Sequence, residues 1–242
     1  MPLTINKLLQ EPPFNKITIT VVGIGGTGSL ILPILMRFNY ALQKLKGFQL
    51  QVNAVDFDTV SESNPARQGF SEFEIGMNKA NALVNRINRF SGSQWETTIS
   101  EITKNTSLDD YASHIIITCT DTRKSREIIE KQLSSKYRID HEHKPLYWID
   151  AGNSKLTGNI IMTDFEKLPS VTDFYKKWPS SDKDKGPSCS VAESLNSQDI
   201  LINQYMAIVT CNLVWDLITL KKIEWCCAFI NSEKLNIKKI KI

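Results

Sequence analysis

Six polar residues crowd into one short stretch, DFDTVSESNPARQGFSEFEIGMNK: Asp56, Asp58, Asn64, Arg67, Gln68 and Lys79. Arg67 offers a planar fork of donors that suits phosphate oxygens, and Lys79 a compact positive point. Asn64 and Gln68 can hydrogen-bond and orient without adding charge. Upstream, VVGIGGTGSL sets Gly23, Gly25 and Gly28 at the three positions of G-x-G-x-x-G, with Gly26 between them. A glycine turn after an apolar strand lets backbone approach phosphate, and the next helix supplies N–H groups and a positive dipole end. Asp56 closes the second strand, where a carboxylate can reach ribose hydroxyls. It lies 28 residues beyond Gly28, more than the usual ~20. The helix-like SLILPILMRFNYALQKLKG between them accounts for the excess. By itself the turn fits a dehydrogenase, a methyltransferase or an ATP-using enzyme. The wider set suits a reaction at phosphorus, where charge builds on a centre already ringed by anionic oxygens and catalysis is positioning and electrostatic stabilisation. Asp121, a hard oxygen ligand in TCTDTRKSR, suits Mg²⁺.

Taken in order, Asp56, Asp58, Val60, Ser63, Asn64, Arg67, Gln68, Gly76, Lys79 and Ala80 resemble the signature of the ThiF/MoeB family. Those enzymes adenylate their substrates and are related to ubiquitin-activating enzymes. TCTDTRKSR is similar to the family's C-T-D-N-x-x-x-R and supplies Asp121 and Arg126. The resemblance is good over residues 17–165 and looser beyond. It implies that Arg67 and Lys79 act on the phosphates, that Asp56 binds ribose, that Asp121 holds Mg²⁺ and that Asp58 supports the site. The implied reaction is ATP-dependent adenylation of the C-terminal carboxylate of a small ubiquitin-like or sulfur-carrier protein. A nucleotide-binding scaffold without turnover and an NAD-dependent oxidoreductase are the alternatives. The second leaves Arg67, Gln68, Lys79 and Asp121 without joint purpose. For Arg126, a solvated helix face is an equally good explanation.

Five cysteines, an odd number with no C-x-x-C pair, argue against a disulfide framework and a four-thiolate zinc site, and for a reducing cytoplasm. Cys119, Cys211, Cys226 and Cys227 read as small core residues. Cys189, in GPSCSVAESL near a helix start, sits where a helix dipole would favour thiolate. Several family members carry a cysteine in similar context that forms a thioester or persulfide-linked bond. Cys189 is thus a candidate nucleophile, packing under the loop being the alternative. His114 packs or caps a strand, and the Asp140–His143 cluster reads as a solvated connection rather than a metal site.

These residues need a frame. Apolar or alternating runs predict strands at Ile17–Val22, Gln49–Val55, Trp95–Ser100, Tyr111–Cys119, Pro145–Ala151 and Gly158–Thr163. Helices are expected over Thr27–Lys46, Gly76–Phe90, Thr122–Tyr137 and Gln198–Leu220. Strands alternating with helices imply an α/β, Rossmann-like, doubly wound and mostly parallel sheet, with its ligand crevice beyond the C-terminal strand ends. The expected organisation is an N-terminal arm (1–16), an adenylation domain (17–165), a polar crossover-type loop (166–198), and a C-terminal helix and antiparallel β-hairpin (199–242) completing the same domain.

The net charge of +3, spread along 242 residues with lysines gathered in KLNIKKIKI, makes no case for nucleic acid. No run approaches the ~20 apolar residues of a membrane span, and no signal peptide opens the chain. The chain departs from the family in three places. The zinc-binding C-x-x-C pairs are missing, so no structural zinc is expected. Met1–Lys16 holds no arginine to lend a partner's ATP site in the family's homodimer, leaving Lys7 or Lys16 as substitutes. VAESLNSQDIL replaces A-G-V-L-G-P after the cysteine. That segment and the small size resemble the ThiF-type proteins of PRTRC cassettes, which also encode ubiquitin-like and conjugating-enzyme-like proteins.

Overall fold

Runs such as ITITVV and HIIIT, rich in β-branched and mostly apolar residues, suit strands covered on both faces. The computed structural model, which describes residues 2–104, 106, 113–120, 122–139, 145–177 and 199–242, uses them so. The chain begins with β1 (Leu3–Thr4) and α1 (Lys7–Gln10), then β2 (Lys16–Val22), α2 (Gly26–Lys46), β3 (Gln49–Val55), α3 (Lys79–Ser91) and β4 (Glu96–Thr98). It continues through β5 (Ile115–Thr118), α4 (Arg123–Ile139), β6 (Tyr147–Asn153), β7 (Thr157–Thr163) and α5 (Val171–Lys177). The last elements are α6 (Ile202–Thr219), β8 (Lys222–Ile223), β9 (Trp225–Asn231) and β10 (Asn236–Lys241).

Eight strands form the main sheet in the order β10-β9-β7-β6-β5-β2-β3-β4. The five from β6 to β4 are parallel, while β7, β9 and β10 join antiparallel. The fold is therefore the expected α/β, Rossmann-like sheet with an antiparallel C-terminal extension. From β2 the chain moves outward to β3 and β4, then returns to β2's other side as β5. The strand order reverses between β2 and β5, which is where doubly wound sheets form their ligand crevice.

The helices bury apolar faces on the sheet. In α3, Ala80, Leu83, Val84 and Ile87 turn inward at helical spacing, and Asn78 caps the start by accepting from the Asn81 N–H at 3.1 Å. α6 is apolar nearly all round and lies against α2 and the sheet, with Ile202, Met206, Leu213, Val214 and Leu217 essentially inaccessible. The amino-terminal residues pack there too. β1 pairs with β8, and the Gln10 amide donates to the carbonyls of Leu217, Ile218 and Leu220 at the end of α6. α5 falls inside the stretch expected as loop. No described helix is long and apolar enough to cross a membrane.

Pro33 lies inside α2. Having no N–H, it cannot donate to the Ser29 carbonyl one turn back. Gly69 packs against that carbonyl, where a Cβ would come within 2.9 Å, and its N–H donates to Ser29 Oγ at 2.8 Å. The polar segment after β3 is thereby fastened to the start of α2.

Candidate active site

The crevice opens at the C-terminal ends of β2, β3 and β5 and has a volume of about 530 Å³, the size of an ordinary small-ligand site. Its floor is the glycine turn. Gly23 adopts φ +86, and a Cβ there would lie 2.8 Å from the Cys119 carbonyl. Glycine is thus required twice over at this position. Gly25 is the N-cap of α2 and has no side chain to bond the first-turn amides, so that end of the helix faces the crevice bare. Gly28 does something else: a Cβ there would sit 1.9 Å from the Gly23 carbonyl, so this glycine packs helix against turn and does not line the crevice.

Asp56 stands just past β3 and is nearly buried. Its Oδ2 accepts the Ile24 N–H and its Oδ1 the Asp58 N–H, at 2.8 Å for the latter. The carboxylate therefore holds the glycine turn to the end of β3. Burial pushes its pKa above the usual value, opposed by those two N–H groups and the charge of Lys79.

Lys79 is the first residue of α3 and is itself buried, yet its Nζ reaches Asp58 Oδ2 at 2.9 Å. Asp58 is half exposed at the rim. Asn78 fixes this geometry, its Nδ2 donating to the carbonyls of Asp56 and Asp58, both at 3.0 Å. Asn64 shapes the next turn: its Oδ1 accepts from the Ser61 N–H at 3.0 Å and its carbonyl from the N–H groups of Arg67 and Gln68. Arg67 and Gln68 then line the crevice wall facing the glycine turn.

Among the described residues, Gln68 Oε1 and the Thr120 hydroxyl are buried against this crevice without a hydrogen-bond partner. Buried polar atoms are nearly always satisfied, so these two suit a polar ligand. The structure brings together Gly23, Gly25, Gly26, Asp56, Asp58, Asn64, Arg67, Gln68 and Lys79. Asp121, Cys189 and the Asp140–His143 cluster lie outside the described residues.

Arg126 and Cys119 differ from a sequence-based reading, while His114 and the other described cysteines sit as expected. Arg126 is only 7 % exposed, not on a solvated face. It bonds Asp150 Oδ2 at 2.9 Å and the Thr120 carbonyl at 2.6 Å, and lies 4.9 Å from the centre of the Tyr175 ring. Tyr175 donates to the same carboxylate oxygen at 2.8 Å, and Thr118 to the other at 2.6 Å. Burial, then the Asp150 charge, raises the Tyr175 phenol well above its usual pKa. Cys119 lines the crevice instead of sitting wholly in the core, whereas Cys211, Cys226 and Cys227 are buried. His114 Nδ1 accepts from the Thr18 N–H at 3.1 Å, and burial lowers its pKa. No group of three or more metal-ligating side chains occurs among the described residues.

Asn203, Thr120 and Asn153 also line the crevice and were missed. None of the three stood out locally: Asn203 sits beside Gln204 at a helix start, and Thr120 and Asn153 stand at strand ends.

The sequence model of the ThiF family matches residues 8–233. No curated protein matches the chain. Solved structures do. PaaA superposes with a TM-score of 0.65 at 16% identity, over 94% of this chain and 64% of that one. MccB of E. coli with AMPCPP and MccA gives 0.65 at 17%, over 97% and 66%. MccB of E. coli with ATP gives 0.63 at 16%, over 93% and 63%. At such identities the likeness speaks to the fold alone, and this chain spans a little under two thirds of the length of those proteins.

Proposed function

The chain belongs to the ThiF family, and on that premise we propose that it is an ATP-dependent adenylating enzyme. It transfers AMP to the C-terminal carboxylate of a small ubiquitin-like or sulfur-carrier protein and releases pyrophosphate. The observation that carries this is the convergence of Asp56, Asn64, Arg67, Gln68 and Lys79 on the glycine turn in one crevice. The solved complexes of MccB with ATP and with AMPCPP and MccA support it by analogy of fold.

In this reading the bare first turn of α2 and the turn before it receive the phosphates. The Arg67 fork and the Lys79 ammonium meet the charge that builds on phosphorus and on the departing pyrophosphate. Asp58 holds Lys79 in register. Asp56, already anchored by two N–H groups, turns its remaining lone pairs to the ribose hydroxyls. The substrate carboxylate oxygen attacks the α-phosphorus, and the bond to the bridging oxygen of pyrophosphate breaks. Asp121 is the residue assigned to Mg²⁺, which neutralises phosphate charge when bound. Cys189 is the candidate acceptor of the acyl group: its thiolate would attack the acyl carbonyl and AMP would leave, giving a thioester. A conjugating-enzyme-like partner, a homodimer and a cytoplasmic setting complete the proposal.

Exchange of labelled pyrophosphate into ATP tests it. Exchange should need both the protein and a carrier ending in Gly-Gly. ATP binding without exchange for any carrier would favour the scaffold reading. A DTT-sensitive adduct that persists in Cys189→Ala would remove the cysteine.

A further inference from the structure

Asn203, near the start of α6, is 1% exposed, and its side chain touches three walls of the crevice. Its Oδ1 accepts from Thr27 Oγ1 at 3.4 Å and from Asn153 Nδ2 at 3.3 Å, and its Nδ2 donates to the Arg67 carbonyl at 3.4 Å. Thr27 belongs to the first turn of α2, Asn153 ends β6, and Arg67 stands in the polar segment after β3. A fourth contact is steric. A Cβ built on Gly26 would lie 2.6 Å from both Oδ1 and Nδ2 of Asn203. At Gly25, one residue earlier, a Cβ would meet nothing within 4 Å. Gly26 is not among the glycines with positive φ, so backbone freedom does not demand glycine there.

We infer that Asn203 is a positioning residue for the nucleotide site, and that Gly26 is glycine to make room for it, not to let phosphate approach. The inference rests on the adenylation reading for its ligand. A short amide meets this geometry. It must accept from Thr27 and Asn153 while donating to a carbonyl, which a carboxylate cannot do and an aliphatic side chain cannot begin to do. Through it, the α2 turn, the end of β6 and the arginine-bearing segment share one frame, although they are far apart in the chain.

The test is a cycle of Gly26→Ala, Asn203→Ala and the double variant, read by calorimetric ATP dissociation constants well below the melting point and by nucleotide-free Tm. Each single change should weaken ATP about fivefold to tenfold. The double variant should bind no more weakly than Asn203→Ala alone, because the added methyl then fills vacated space. The nucleotide-free Tm should show the same non-additivity. Losses that multiply, to roughly 25-fold or more, would mean that Gly26 serves phosphate approach, and would overturn the inference. So would an unchanged ATP constant in Asn203→Ala with a lowered Tm, the mark of a merely structural residue. Asn203→Asp keeps the volume and loses the donor to Arg67, so it reports on the same bond if the alanine variant does not fold; unchanged ATP affinity there overturns the role. A parent chain that binds no ATP sinks the adenylation reading and this role with it, whereas binding with multiplied losses sinks this role alone.

Discussion

Lys79 is a cation that the protein has taken out of water and tied to one carboxylate, Asp58, at 2.9 Å. A buried ammonium held at a single partner costs desolvation, and a polyanion arriving in the crevice would repay it. Lys79→Ala and Arg67→Ala should therefore each lower pyrophosphate exchange by about a hundredfold or more, with a smaller effect on Tm. Loss of Tm without loss of exchange would assign both residues to folding. His114 makes a different residue-scale prediction. Its Nδ1 must stay unprotonated to accept the Thr18 N–H, and burial lowers its pKa from 6.5. As pH falls through 6.5, the unfolded chain takes up a proton that the folded one refuses until the lower folded value is reached. Stability should drop across that window. In His114→Asn, whose amide oxygen can take the same N–H, the fall in Tm between about pH 7.5 and about pH 5.5 should shrink relative to the parent. An equal fall in both proteins would rule the histidine out.

Among the elements, α3 couples stability to the site most directly. Asn78 caps it, bonds the carbonyls of Asp56 and Asp58, and precedes Lys79. Asn78→Ala should cost about 1 kcal/mol and also raise the KM for ATP. A stability loss with unchanged KM would confine Asn78 to capping. The same helix shows how far sequence could be read. Its apolar spacing predicts a start at Gly76, yet it begins at Lys79, because Met77 and Gly76 pair their backbone with Val60. Strand β3 matches its expected bounds, since alternating apolar residues (Leu50, Val52, Ala54) and Gly47 before it define it locally. α5 was not legible: seven residues burying Val171, Phe174 and Tyr175 are too few for a period to show within polar surroundings. Nor was the fate of Arg126, whose partner Asp150 lies 24 residues on, in another element. The ordered polar motif exposed one wall of the site. The opposing wall, Thr120, Asn153 and Asn203, is drawn from three separate strand and helix ends, and carries no local pattern.

At the scale of the whole molecule, the Asp150 carboxylate joins α4 and α5 to the middle of the sheet through three bonds, to Arg126, Tyr175 and Thr118, with Trp148 donating in turn to the Thr118 hydroxyl. Breaking a buried ion pair by removing one partner strands the other charge, so Arg126→Ala should lose about 3 kcal/mol or more, or roughly 6 °C in Tm. A shift under about 2 °C would mean that water relieves Asp150. The sheet's order has a broader consequence. Of the residues that line the crevice, Asp56, Arg67 and Lys79 come from the chain before β4, and Thr120, Asn153 and Asn203 from the chain after β5 begins. The ligand would thus lie on a seam between two halves of the polypeptide. Expressed as two pieces divided between β4 and β5, neither half would hold ATP alone, and recovered binding on mixing would make the nucleotide itself the reporter of reassembly.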